Sequence, residues 1–90
     1  MSVIRLELCY YGTVQGVGFR WRARQLADAL GLVGFAENRP DGSVRVQVQG
    51  EEELTEQFAD RMGTDRGWIS ISHIERKKIP LRDEYWFTTH

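Results

Sequence analysis

The chain sets twelve lysines and arginines against thirteen aspartates and glutamates over 90 residues, a formal net charge of -1, with 41% hydrophobic and 28% charged residues. That balance fits one soluble globular domain spanning 1–90, excludes a disordered chain, and argues against a general nucleic-acid or membrane-surface binder, which would carry a positive excess. Neither a ~20-residue apolar span nor a signal-peptide core is present, so a cytoplasmic monomer is expected; the one cysteine, Cys9, excludes an intramolecular disulfide and a cysteine-rich metal site.

In residues 3–10, Ile4, Leu6, Leu8 and Tyr10 alternate with Arg5, Glu7 and Cys9, the period-two signature of a strand with one buried face. Cys9 falls in the polar set, where a structural thiol is expected. After a glycine-rich loop, Phe19, Ala23, Leu26, Ala27 and Leu30 recur at three- and four-residue spacing, Arg24 and Asp28 can pair on the outer face, and Gly31 supplies a stop. Residues 32–39 and 43–49 read as the two strands of an antiparallel hairpin, joined by the tight-turn sequence Arg39-Pro40-Asp41-Gly42, with Val44, Val46 and Val48 inward.

Glu51, Glu52 and Glu53 then open a second helix with negative charge that complements its dipole, and Leu54, Phe58 and Met62 form its apolar stripe. Gly63 ends it. Residues 68–78 read as a fourth strand in which Ile69 and Ile71 fall out of phase with Ile74, which predicts a bulge or a change of pairing face. Pro80 breaks that strand, and residues 85–87 form a short terminal strand at a sheet edge. The order βαββαβ predicts an α+β, ferredoxin-like sandwich: an antiparallel sheet of four to five strands with two helices on one face.

The loop carries the chemistry. Gly12, Gly16 and Gly18 permit positive φ and a close approach of ligand to main chain, so successive N–H groups can point into one concavity, and the helix that starts near Phe19 presents its positive dipole end there. Arg20, Arg22 and Arg24 crowd that end, where each is disfavoured by roughly 0.3–1 kcal/mol unless an anion is bound. Arg20 is closest to the loop. A plain glycine-rich strand-to-helix turn with solvated arginines remains the alternative, because the segment matches neither a P-loop nor a dinucleotide fingerprint.

Gly12-Thr13-Val14-Gln15-Gly16-Val17-Gly18-Phe19-Arg20, followed by Gly34-Phe35-Ala36-Glu37-Asn38-Arg39-Pro40-Asp41-Gly42-Ser43-Val44, resembles the two signature segments of the acylphosphatase family, in order and at the family's spacing. The resemblance implies hydrolysis of a small-molecule acyl phosphate to carboxylate and phosphate, without a metal or other cofactor. It implies that the main-chain N–H groups of Gln15, Gly16, Val17, Gly18, Phe19 and Arg20 bind the phosphoryl oxygens, that the Arg20 guanidinium joins them, and that Asn38 orients the attacking water. Arg22 stands where the family commonly has an aromatic or apolar residue, Ala36 where valine is usual, and the Thr64-Asp65-Arg66 region lacks a proline-containing turn. Phe19, Trp21 and Phe35 are expected to pack around the site.

Such chemistry needs few groups. A carboxylate leaves readily, so positioning of water and stabilisation of phosphoryl charge suffice. No Ser/His/Asp or metal-ligand cluster stands out, and His73 and His90 are isolated. Three rivals remain: an anion-binding module without turnover, an RNA-recognition-like domain of the same element order, and a cousin of the acylphosphatase-like domain of hydrogenase-maturation carbamoyltransferases. The second lacks an exposed aromatic pair on residues 43–49, and the third would bring cysteine-rich zinc motifs.

Overall fold

The computed structural model describes residues 2–90. Its elements are β1 (Val3–Thr13), α1 (Phe19–Leu30), β2 (Val33–Asn38), β3 (Val44–Glu51), α2 (Glu52–Met62), β4 (Ser70–Ile79) and β5 (Phe87–Thr89). They form one five-stranded sheet in the order β4-β1-β3-β2-β5, giving the ferredoxin-like α+β plan. Ile4, Leu6, Leu8 and Tyr10 of β1 and Val44, Val46 and Val48 of β3 fill one face of the sheet. Phe19, Ala23 and Ala27 of α1 and Phe58 and Met62 of α2 complete that core. Gly31 ends α1 in the left-handed region at φ 68, as its position predicts. Among the described residues no helix is long and apolar enough to cross a membrane.

The predicted bulge is on β4. Tyr11 pairs with His73 and Gly12 with Ile71, so Ser72 has no partner on β1 and the isoleucines on both sides of it reach the core. Gly12 is the residue opposite. Its φ is +123, and a Cβ there would overlap the Ser70 carbonyl oxygen and lie 2.8 Å from the Ser72 nitrogen. Gly12 therefore serves the bulge rather than the loop that follows, and β1 runs three residues beyond its expected end.

The sheet departs from the antiparallel expectation at one edge. β1, β2, β3 and β4 pair antiparallel, but β5 lies parallel to β2 and spans Phe87–Thr89 instead of 85–87. The reason is the route between the two edges. Residues 80–86 cross the sheet on the face away from the helices, and Gln49 fastens them by donating from Nε2 to the Arg82 oxygen (2.8 Å) and accepting at Oε1 from the Arg82 nitrogen (2.9 Å). Arg5 lies beneath, fully buried, where sequence alternation alone would leave it solvated. It donates through Nε and Nη2 to Gln47 Oε1 (3.0 and 2.9 Å) and through Nη1 to Gln49 Oε1 (3.2 Å), and its Nη2 pairs with Glu84 at 2.5 Å. Phe35 belongs to this face too, between the guanidinium groups of Arg45 and Arg82, and so does not pack around the loop.

Two stability measurements follow from these burials. Glu84→Ala leaves the Arg5 guanidinium buried without its counter-charge, and urea denaturation is expected to show a loss of about 3 kcal/mol. Tyr10 is fully buried with a hydroxyl that has no hydrogen-bond partner, and burial pushes its pKa above the ordinary tyrosine value. Tyr10→Phe removes that orphaned group and is expected to raise stability by about 1 kcal/mol in the same assay.

Candidate active site

Residues 14–18 join β1 to α1, pinned at both ends by core side chains. Val14 is buried at the start, and at the far end Phe19 packs on Tyr10 with ring centroids 4.7 Å apart. Between them Gly16 (φ 73) and Gly18 (φ 83) take left-handed conformations that side chains disfavour. Among the described residues, no main-chain N–H from Gln15 to Trp21 donates to another protein group. The first turn of α1 has neither a side-chain cap nor an acidic residue. The segment is thus a run of donors at a positive helix end, without protein acceptors.

The Gln15 side chain fixes this loop against the β2–β3 hairpin. Its Nε2 donates to the main-chain oxygens of Arg39 (2.8 Å) and Ser43 (2.9 Å). The turn it grips is closed by Gly42 N donating to Arg39 O at 3.1 Å and Arg39 N donating to Ser43 O at 2.9 Å. Asp41 Oδ1 accepts from the Ser43 nitrogen at 2.9 Å and the Ser43 hydroxyl at 2.5 Å, and those bonds hold its carboxyl below the usual carboxylate range. Asn38, the last residue of β2, is exposed at this end of the sheet, its carboxamide bonded to no other protein group among the described residues.

The three arginines of α1 separate. Arg22 turns to the end of α2, donating to the oxygens of Arg61 (2.6 Å) and Thr64 (3.3 Å), where the dipole favours a cation. Arg24 lies 3.9 Å from Asp28, an exposed pair of little energetic weight. Arg20 reaches the residue that follows β5. Its Nη1 donates to the main-chain oxygen of His90 at 2.7 Å, and the Asn38 nitrogen donates to that same oxygen at 3.2 Å. His90 is in turn held by its own nitrogen on the Ala36 oxygen at 2.8 Å. One carbonyl therefore brings together the two residues that the sequence singles out from separate motifs.

Some expectations place differently. Trp21 is 68% exposed, because Phe19 and Ala23 take the inward positions of the helix. The side chain of Gln15 and the oxygen of His90 had no signal in the sequence. Gln15 was singled out for its main chain only. Cys9 is buried on the polar face, and its burial raises the thiol pKa. Among the described residues no three His, Cys, Asp or Glu side chains gather in a metal-binding arrangement.

Unpaired backbone donors suit a small oxyanion, and the fold carrying them defines a class: small ferredoxin-like α+β proteins with a glycine loop after the first strand. The sequence profile of the family described as Acylphosphatase matches residues 6–89. An acylphosphatase of Mycolicibacterium vanbaalenii is 49% identical over 75 residues, covering 83% of this chain and 77% of the relative. One from Clostridium perfringens is 38% identical over 79 residues, 88% and 89% of the two chains. The crystal structure of acylphosphatase from Bacillus subtilis superposes with a TM-score of 0.92 at 26% identity, covering 97% of this chain and 98% of that one. The chain belongs to the acylphosphatase family, and it is an enzyme, a hydrolase of acyl phosphates.

Gln15→Ala tests the clamp between loop and hairpin. Loss of two hydrogen bonds is expected to lower stability by about 1–2 kcal/mol in urea denaturation. A loop-placement penalty of about 1 kcal/mol would weaken inorganic phosphate binding roughly fivefold in calorimetric titration.

Proposed function

We propose that residues 1–90 act as a single, monomeric cytoplasmic domain that hydrolyses acyl phosphates by charge stabilisation and water positioning. The main-chain N–H groups of Gln15, Gly16, Val17, Gly18, Phe19 and Arg20 receive the phosphoryl oxygens, and the Arg20 guanidinium closes over them. The Asn38 carboxamide holds the attacking water. What supports the reading is the shared contact of Arg20 Nη1 and Asn38 N with the His90 oxygen, 2.7 and 3.2 Å away, which joins the guanidinium to the strand end that bears the carboxamide.

In the reaction, the water oxygen attacks phosphorus and the bond from phosphorus to the acyl oxygen breaks. The electron pair of that bond leaves with the carboxylate. A dianionic acyl phosphate and water thus become a carboxylate monoanion and dihydrogen phosphate, with one water proton passing to a phosphate oxygen. Charge accumulates on three phosphoryl oxygens, and pre-aimed donors stabilise it without reorganisation. Because the leaving group is a weak base, no strong general acid is needed, and a neutral amide positions water without adding negative charge beside the phosphate.

The test is phosphate release from acetyl phosphate with chelator present, for the wild type, Arg20→Ala and Asn38→Ala. Each substitution is expected to lower kcat/KM by ~100-fold or more, as loss of about 2.7–4 kcal/mol of transition-state stabilisation requires, while circular dichroism stays native. A folded wild type that binds phosphate without turnover would leave an anion-binding module in place of the enzyme mechanism.

A further inference from the structure

Beside the loop, on the side away from β5, lies a pocket of about 540 Å³ that the phosphate chemistry does not use. Val17 and Gly18 of the loop are among its lining residues, so the pocket adjoins the loop that carries the N–H donors. Its walls include two tryptophans, Trp21 from the first turn of α1 and Trp68 from the α2–β4 connection, 68% and 85% exposed. Arg22, Arg61 and Arg66 also line it, and no acidic residue does. None of the three arginines has a carboxylate partner within ion-pair distance among the described residues, and Arg66 and burial together pull the Arg22 pKa down. The cavity against Arg24 and Trp86 differs on both counts, containing Asp28 and none of residues 14–18.

Trp68 is not on a floppy arm. Arg66 N donates to Ile69 O at 3.1 Å and Ile69 N to Arg66 O at 2.9 Å, a closed two-residue turn in which Gly67 takes φ 58. Asp65 Oδ1 then accepts from Ile71 N at 2.8 Å and ties the turn to β4. Two large aromatic faces are thus held in the open beside the loop, together with three arginines that pair with no carboxylate among the described residues. A flat apolar group fits the tryptophans, and an anion at its far end answers the arginines.

We propose that this pocket is the leaving-group subsite and selects acyl phosphates whose acyl part is an aromatic ring bearing a second carboxylate. The inference rests on the hydrolytic reading above and adds the substrate class. Trp21 and Trp68 hold the ring, and Arg61 and Arg66 hold its far carboxylate. Arg22, fixed to the carbonyls at the end of α2, contributes positive potential without moving.

The test compares acetyl phosphate, benzoyl phosphate and 4-carboxybenzoyl phosphate in the wild type, Trp68→Ala and Arg66→Gln. Both substitutions are at exposed side chains, so folding is retained. Trp68→Ala is expected to lower kcat/KM for both aromatic substrates about 10-fold and to leave acetyl phosphate unchanged. Arg66→Gln is expected to lower it several-fold for 4-carboxybenzoyl phosphate alone. If acetyl phosphate is hydrolysed and the three substrates respond equally to both substitutions, the subsite is refuted and the hydrolytic reading stands. A wild type that hydrolyses none of the three overturns both.

Discussion

The buried guanidinium of Arg5 is the constraint on which the working end of the molecule depends. Its hydrogen bonds to Gln47 and Gln49 and its ion pair with Glu84 hold residues 80–86 across the helix-free face of the sheet. That crossing decides where the chain emerges and in which direction. β5 consequently runs parallel to β2 and carries His90 to the end of the sheet where β2 finishes and the glycine loop begins. An antiparallel β5 would have carried it the other way, leaving Arg20 without its carbonyl. A charge at the centre of the sheet's open face thus sets the position of a charge at its rim.

The rim itself is an arrangement of excess donors. A helix N-terminus without a side-chain cap, seven N–H groups without acceptors among the described residues and arginines at the positive dipole end are all unfavourable for an isolated helix. The fold distributes part of that excess internally, sending Arg22 to the end of α2 and Arg24 toward Asp28. Arg20 reaches the His90 carbonyl instead, on the other side of the helix end. The Gln15 bridge and the buried Val14 and Phe19 hold the loop that carries these donors in place.

Local pattern made much of this legible. Alternation in β1 and β3, the three- and four-residue spacing in α1 and α2, Gly31 and the Pro40 turn each state a preference that the packing follows. Even the β4 bulge could be read, because Ile71 and Ile74 can share a face only if one residue is left out of the ladder. Three things were not legible, each for want of a long-range partner. Arg5 reads as a solvated residue until the crossing segment covers it. Gly12 reads as part of the loop until Ser70 and Ser72 are brought against it. Three residues of β5 carry too little pattern to state a direction, so the His90 oxygen that joins Arg20 to Asn38 had no precedent in the sequence. The two motifs themselves were evident, since both concern short stretches whose chemistry is local.

The contact between Arg20 and His90 also spans 70 positions of the chain, and the strand that delivers it is three residues long at an open edge. Closing so long a loop is entropically late, and so short an edge strand opens locally at far less free energy than the core. The guanidinium can therefore lose its anchor while β1, β3 and both helices remain intact. The anchor of Arg20 is therefore held less firmly than the core beneath it.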